Sequence, residues 1–303
     1  MTLAAAAFDF PLDLGTEIPA NVRAALIEDI GAGDLTAELV PAANHSIATV
    51  IVREPAVVCG IDWFNRCFAE IDPAIQIHWQ VSEGDHVGPD TLLCELQGAS
   101  RALLSGERAA LNFLQLLSGV ATRTATFVAA VSGTRAQIVD TRKTIPGLRF
   151  AQKYAVRVGG GGNHRLALWD AILIKENHIL AAGGITAAVK AAQAVASQHT
   201  DRCRFVQVEV ESIAELDEAL AAGADFLLLD NFDLAMMRDG VAHRDAWTQK
   251  RGTAAKLEAS GGVSLDTVRA IAETGVDRIS IGGLTKDIRA IDLSMRFKDT
   301  PAH

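Results

Sequence analysis

From about residue 119 onward the chain repeats one pattern: a short apolar run, a polar or glycine-rich tip, then a helix-like stretch. AQIVD closes on Asp140 and runs into TRKT, AILIK closes on Lys175, and FVQVEV carries Glu209. FLLLD closes on Asp230 and Asn231, KLEASGG on Ser260, and DRISIGG on Gly282 and Gly283. Between them lie ITAAVKAAQAVASQ, SIAELDEALAAG and SLDTVRAIAETG, each with a helical composition. The tips are separated by about 20 to 35 residues, the length of a β/α unit. In a β/α barrel such tips share one rim, and active sites are built there. An open doubly wound sheet is disfavoured, because no GxGxxG follows a strand and opens a helix.

The first part of the chain reads differently. Residues 1–20 are expected to be a loose arm, and NVRAALIEDI at 21–30 a short helix stopped by Gly31 and Gly33. IATVIVREPAVVCG and IQIHWQVSEGDHVGPDTLLCELQG alternate and carry turn signals, as short strands do. GERAALNFLQLLS at 106–118 returns to a helical period, with Arg108 at its entry. A cation there sits near the positive end of the helix dipole, mildly unfavourable unless an anion is close. Residues 1 to about 118 therefore predict a small α/β domain. The cysteines Cys59, Cys67, Cys94 and Cys203 have no ligand spacing and read as reduced thiols of a cytosolic protein. The start lacks a basic region and meets Asp9 and Asp13 too early for a signal peptide. Apolar runs fall short of the roughly 18 residues a membrane span needs.

The net charge is −9, yet Arg142, Lys143, Arg149, Lys153, Arg157, Arg165 and Lys175 crowd one segment with His164 and a single acid, Asp170. A basic island in an acidic chain points to one anionic ligand rather than to a nucleic acid. Arg142 and Lys143 are adjacent cations just past a strand, so they repel unless an anion joins them. Gly159 to Gly162 stand directly before Asn163, His164 and Arg165, a placement that suits a backbone brought close to a ligand. Glu209 and Asp230 are carboxylates in or ending apolar strands. They suit a Mg²⁺ bridging to phosphate oxygens, or simple pairing with Lys143 and Lys175. Ser260, Gly261 and Gly262, then Gly282 and Gly283, form turns whose N–H groups suit a phosphate. The residues thus predict an enzyme with two anion zones, one for a carboxylated and one for a phosphorylated substrate.

GERAALNFLQLLSGVAT, DTRKTIPGLR, KYAVRVGGGGNHRLALWDAILIKENH, VEVES, LLLDN, LEASGG and TGVDRISIGGLT together resemble the quinolinate phosphoribosyltransferase family, also called carboxylating nicotinate-nucleotide pyrophosphorylase. The likeness runs from EDIGAGDLT at 28–36 to IDLSMRF at 291–297. It implies an N-terminal α/β sandwich domain over 1–118, an incomplete seven-stranded α/β barrel over 119–288, and a tail, 289–303, returning to the first domain. It implies transfer of the phosphoribosyl group of phosphoribosyl pyrophosphate to quinolinate, with loss of CO₂. Arg142, His164, Arg165 and Lys175 would line the quinolinate site. Lys143, Glu209 and Asp230 would serve phosphoribosyl pyrophosphate and its Mg²⁺, and Ser260 to Gly262 with Gly282 and Gly283 the 5′-phosphate. It also implies a homodimer or larger oligomer, with Arg108 reaching the neighbouring subunit's site. Ala109, Gln152, Gln207 and Lys286 depart from the family's usual residues. A molybdenum-operon relative, a nicotinate transferase and a non-catalytic anion-binding barrel are the competing readings.

Overall fold

The computed structural model describes residues 12–252 and 254–298. The expected arm and tail therefore fall partly outside the described residues, at 1–11 and 299–303. Of the described residues, 12–125, 144–160 and 284–298 cluster into one compact unit, and 126–143 and 161–283 into another.

The first unit holds a four-stranded antiparallel sheet of β1 (His45–Val52), β3 (Gln76–Trp79), β5 (Leu92–Ala99) and β12 (Leu293–Phe297), in the order β12-β1-β5-β3. Ala48, Val50 and Val52 of β1 are fully buried and their neighbours are not, the period of two that one covered face requires. β2 (Ala56–Val57) and β4 (His86–Val87) make a short separate ladder. β12 pairs with β1, Val50 opposite Met295, so the end of the described chain closes the sheet laid down near its start.

The helices of this unit correct the sequence reading in two places. α1 spans Leu14–Ile30, so residues 14–20 are helical rather than part of an arm. The Asp13 carboxylate caps it by accepting from the Thr16 N–H, and Pro19 lies inside it. α2 (Ile61–Ile71) buries Trp63, Phe64, Cys67 and Phe68 on one face. α3 runs from Ser100 to Ala130, so Arg108 lies in its third turn. The dipole penalty expected for a helix-entry cation does not apply there, since that effect fades within the first turn. Gly106, which looks like a helix breaker, stands where an added Cβ would lie 2.6 Å from the Phe68 ring. Its cost in helix propensity is about 1 kcal/mol, and close packing of α2 against α3 is what it permits.

The second unit holds a six-stranded parallel sheet of β6 (Gln137–Val139), β7 (Ile172–Ile174), β8 (Val206–Val210), β9 (Phe226–Asp230), β10 (Lys256–Ser260) and β11 (Arg278–Ser280). Its order is β6-β11-β10-β9-β8-β7. Gly162 adds a one-residue parallel bridge to Val139 on the free side of β6 and supplies a seventh position. Among the described residues no ladder joins that position to β7, so the ring is incomplete. Helices alternate with the strands: α5 (Glu176–Ala182), α6 (Ile185–Gln198), α7 (Ile213–Ala222), α8 (Leu234–Arg251) and α9 (Leu265–Ala272). Ser212 caps α7 by accepting from the Glu215 N–H, and Asp233 caps α8 by accepting from Met236.

Strand register sorts this unit's side chains. Val210, Leu229, Ala259 and Ile279 fall on one row and are fully buried; the preceding row is Glu209, Leu228, Glu258 and Arg278. Successive residues face opposite sides of a strand, so the apolar row meets the helices and the chemical row lines the inside of the ring. Asp230 and Ser260 form the next inward row, toward the C-terminal rim.

Candidate active site

All but one of the expected site residues fall in the second unit, at or beside that rim. Arg142 and Lys143 follow β6, His164 and Arg165 follow the Gly162 bridge, and Lys175 caps α5 directly after β7. Glu209 is the last residue but one of β8, Asp230 and Ser260 close β9 and β10, and Gly282 follows β11. Arg108 belongs to the first unit, half exposed, with a loose 3.8 Å contact to its own neighbour Glu107.

The cationic part is built from the chain between β6 and β7. Asp140, fully buried, accepts from the Asn163 side chain at 2.7 Å and from the His164 N–H at 2.9 Å. It thereby ties the strand end to the segment that carries the two basic residues. Asp170, also fully buried, accepts from the Leu166 and Ala167 N–H groups at 2.7 and 2.8 Å and fixes the following turn. Arg165 is 8 % exposed and donates to the Ala171 carbonyl. Among the described residues neither Arg142 nor Arg165 makes an ion pair, and the Arg142 Nε is buried with no hydrogen-bond partner. Burial and the charge of Arg142 pull Arg165 below the ordinary arginine range, with Asp170 opposing. Two mutually repelling guanidiniums with spare donors are the arrangement that binds carboxylates through paired hydrogen bonds.

The second part mixes acids, lysines and glycines. The Lys175 ammonium donates to Glu209 at 2.8 Å. Burial and the charge of Glu209 raise the Asp230 carboxyl above its ordinary value, while Lys175 and Lys143 pull it back. Two carboxylates close enough to perturb one another, with lysines facing them, suit a cation and an anion bound together. Among the described residues no cluster of three or more His, Cys, Asp or Glu could hold a metal ion. Glu209 and Asp230 still fit Mg²⁺ as a two-carboxylate site, because that ion takes one or two protein carboxylates and completes its shell with phosphate oxygens and water.

The glycines divide by role. Gly261 has φ +104° and would place a Cβ 2.4 Å from Asn231 Oδ1, and Gly262 has φ +57°. This turn leads through Ser264 into α9, so its N–H groups stand before a helix N-terminus. A Cβ on Gly282 would lie 3.0 Å from Lys143 Cδ, so the lysine stem crosses directly over this glycine. Two glycines of the run before His164, Gly159 and Gly162, are constrained by packing. A Cβ on Gly159 would meet the Ala121 carbonyl at 2.4 Å, and one on Gly162 the Gln137 side chain at 2.7 Å.

The structure gives surroundings to residues whose roles the sequence did not show. Glu258 and Arg278, both nearly inaccessible, face each other at 3.6 Å inside the ring. Gln207 accepts from His164 Nε2 at 2.8 Å. Gln152, in α4 (Arg149–Val158) of the first unit, accepts from the Ile145 N–H and donates to the Thr285 carbonyl. A carboxylate could only accept, so an amide is the group that serves both. Ala109 is buried and lines a cavity of about 610 Å³ between α1 and α3, and Lys286 is exposed beside Asp287.

Comparison with known proteins bears on this geometry. Residues 34–118 match the family described as "Quinolinate phosphoribosyl transferase, N-terminal domain", and residues 120–296 the corresponding C-terminal domain. The chain is 40 % identical over 269 residues to a probable carboxylating nicotinate-nucleotide pyrophosphorylase of Bacillus subtilis, covering 89 % of each. It is 40 % identical over 279 residues to the carboxylating nicotinate-nucleotide pyrophosphorylase of Mycobacterium leprae, covering 91 % of this chain and 95 % of that one. The structure of the nicotinate-nucleotide pyrophosphorylase from Francisella tularensis superposes with a TM-score of 0.86 at 43 % identity, over 96 % of this chain and 99 % of that one.

Proposed function

The chain belongs to the quinolinate phosphoribosyltransferase family, and from that premise we propose that it makes nicotinate mononucleotide from quinolinate and phosphoribosyl pyrophosphate, releasing pyrophosphate and CO₂, for NAD biosynthesis. The observation that carries this reading within the site is the pair Arg142 and Arg165, two guanidiniums without ion pairs among the described residues. Quinolinate brings two carboxylates on one ring. Arg142, Arg165 and Lys175 hold them and point the ring nitrogen at the ribose. The nitrogen lone pair forms the bond to C1′ as the C1′–oxygen bond breaks, and that electron pair leaves with pyrophosphate. Lys143 faces the departing group. The bond from ring carbon 2 to its carboxylate then breaks, its electrons stabilised by the quaternised nitrogen, and the carbon takes a proton. No nucleophilic side chain is required.

Glu209 and Asp230 would hold Mg²⁺, which when bound supplies positive charge to the pyrophosphate oxygens. For that, Lys175 has to share or release Glu209. Ser260, Gly261, Gly262, Gly282 and Gly283 hold the 5′-phosphate. The division of labour is an N-terminal domain over 1–118, a barrel over 119–288 and a returning tail over 289–303. The family matches over 34–118 and 120–296 and the β12–β1 pairing support it. The working unit is at least a homodimer in the cytoplasm, with Arg108 completing the neighbour's site. The half-exposed Arg108 and the bare apolar side chains of Ile27, Leu35 and Leu39 support a covered face. Among the described residues no single helix is long and apolar enough to cross a membrane.

The discriminating experiment offers purified protein quinolinate or nicotinate with phosphoribosyl pyrophosphate and Mg²⁺. Turnover of quinolinate well above that of nicotinate is expected. Preference for nicotinate would overturn the reading, because a single carboxylate does not need two such arginines.

A further inference from the structure

His164 sits behind Arg165, 5 % exposed, with Phe205 edge-on to its ring at 5.5 Å. Both ring nitrogens are engaged by the protein. Nδ1 accepts the backbone N–H of Arg165 at 2.8 Å, so it carries a lone pair. The ring proton is therefore on Nε2, which donates to Gln207 Oε1 at 2.8 Å and lies 3.6 Å from Glu258 Oε1. A ring held in this way has no edge left for a substrate carboxylate or for proton transfer.

We propose that His164 is a positioning residue: Gln207 fixes its tautomer, and its Nδ1 holds the Arg165 backbone in the orientation that aims the guanidinium into the site. Asp140 fixes the same segment from the other side through the His164 N–H. Histidine suits the place because it alone puts an acceptor and a donor at opposite ends of one rigid ring. The buried amide of Gln207 completes the arrangement without adding a charge beside Glu258.

Two substitutions separate the nitrogens. The Oδ1 of asparagine lies near the place of Nδ1, so His164→Asn keeps an acceptor for Arg165 and loses the donor toward Gln207. The Nε2 of glutamine lies near the place of the imidazole Nε2, so His164→Gln keeps that donor and loses the acceptor. His164→Asn is expected to lower the melting temperature yet keep the quinolinate KM within about threefold of the parent, and His164→Gln to raise it about tenfold. In both, the KM for phosphoribosyl pyrophosphate stays near the parent value. Amide hydrogen exchange at Arg165 should quicken in His164→Gln alone. The reverse order, with glutamine the better substitute, would show that Nε2 meets the substrate and overturn the proposal. So would a loss of kcat in both variants at unchanged KM, the mark of an acid or base. The kinetic arm rests on the proposed reaction and the exchange arm does not. A parent without quinolinate turnover would sink the reaction alone, and exchange would still decide the role of His164.

Discussion

The end of the ring opposite the active-site rim makes a sharp prediction about stability. Asp277, nearly inaccessible, accepts from the Leu257 N–H at 3.0 Å, Arg244 at 2.6 Å and Lys256 at 3.2 Å, and also pairs with Arg135. Arg244 is 2 % exposed and keeps one other acid, the exposed Asp245, at 2.6 Å. Asp277→Asn removes the charge and keeps the shape, leaving a buried guanidinium half compensated. Breaking a buried pair costs about 3–5 kcal/mol, and Asp245 holds the loss near the lower end, about 3 kcal/mol. For a unit of this size that lowers the melting temperature by about 6–12 °C. Arg244→Met alone should cost less, since Asp277 retains Arg135, Lys256 and the Leu257 amide. The double variant should therefore recover at least about 1 kcal/mol relative to Asp277→Asn. Burial pushes the Asp277 carboxyl up, but the Leu257 amide, Arg244, Lys256 and Arg135 outweigh it and hold the carboxyl below its ordinary value. A lowered folded pKa gives stability that is complete above the unfolded value, about 3.9, and lost as pH falls through the folded one. The gap between parent and Asp277→Asn in urea unfolding should thus be full at pH 7 and shrink below about pH 4. A loss under about 1 kcal/mol at pH 7, or strict additivity in the double variant, would refute the reasoning.

Three further outcomes follow from the proposed site. Lys175→Ala should weaken quinolinate binding by roughly 1.5–3 kcal/mol in calorimetry, and Lys143→Ala should instead reduce phosphoribosyl pyrophosphate use and turnover; unchanged quinolinate binding in Lys175→Ala would show its role misassigned. Gly261→Ala forces a Cβ against Asn231 in a left-handed conformation, at a cost of about 1–3 kcal/mol, and should raise the KM for phosphoribosyl pyrophosphate while quinolinate binding holds; an unchanged KM would remove this turn from the phosphate site. Mixing an Arg108→Ala chain with a Lys175→Ala chain, each inactive alone, should restore about a quarter of the parent activity once subunits exchange at random; no recovery despite proven exchange would place Arg108 outside the neighbour's site.

The strand tips were legible because a polar residue ending an apolar run is a local signal. Asp140, Lys175, Asp230 and Ser260 announce themselves in that way, Glu209 stands out as a charge inside an apolar run, and the six strands lie where their runs predict them. The arginines were legible as an island of one sign. Glu258 and Arg278 were not, because each is an ordinary charge in a short strand until strand pairing sets them 3.6 Å apart. Gln207 likewise gains meaning only from His164, 43 residues away in sequence. The helix starts failed for local reasons that misled. The arm expected over 1–20 runs into α1, which carries Pro19 inside it, and the helix expected from Gly106 begins earlier in α3, where the Phe68 ring explains the glycine. The same error put Arg108 at a helix entry. The glycine run before His164 resembled a ligand-approach loop, whereas two of its members are held by close backbone and side-chain packing that only the fold creates.

The most direct test of the central claim follows the carbon. Quinolinate labelled in its 2-carboxylate is incubated with the protein, phosphoribosyl pyrophosphate and Mg²⁺, and labelled CO₂, nicotinate mononucleotide and pyrophosphate are each counted. Equal amounts of all three are expected, with all label in CO₂ and no release of CO₂ without phosphoribosyl pyrophosphate. A folded protein that binds quinolinate but yields no nucleotide, or a nucleotide that keeps the labelled carboxylate, would contradict it.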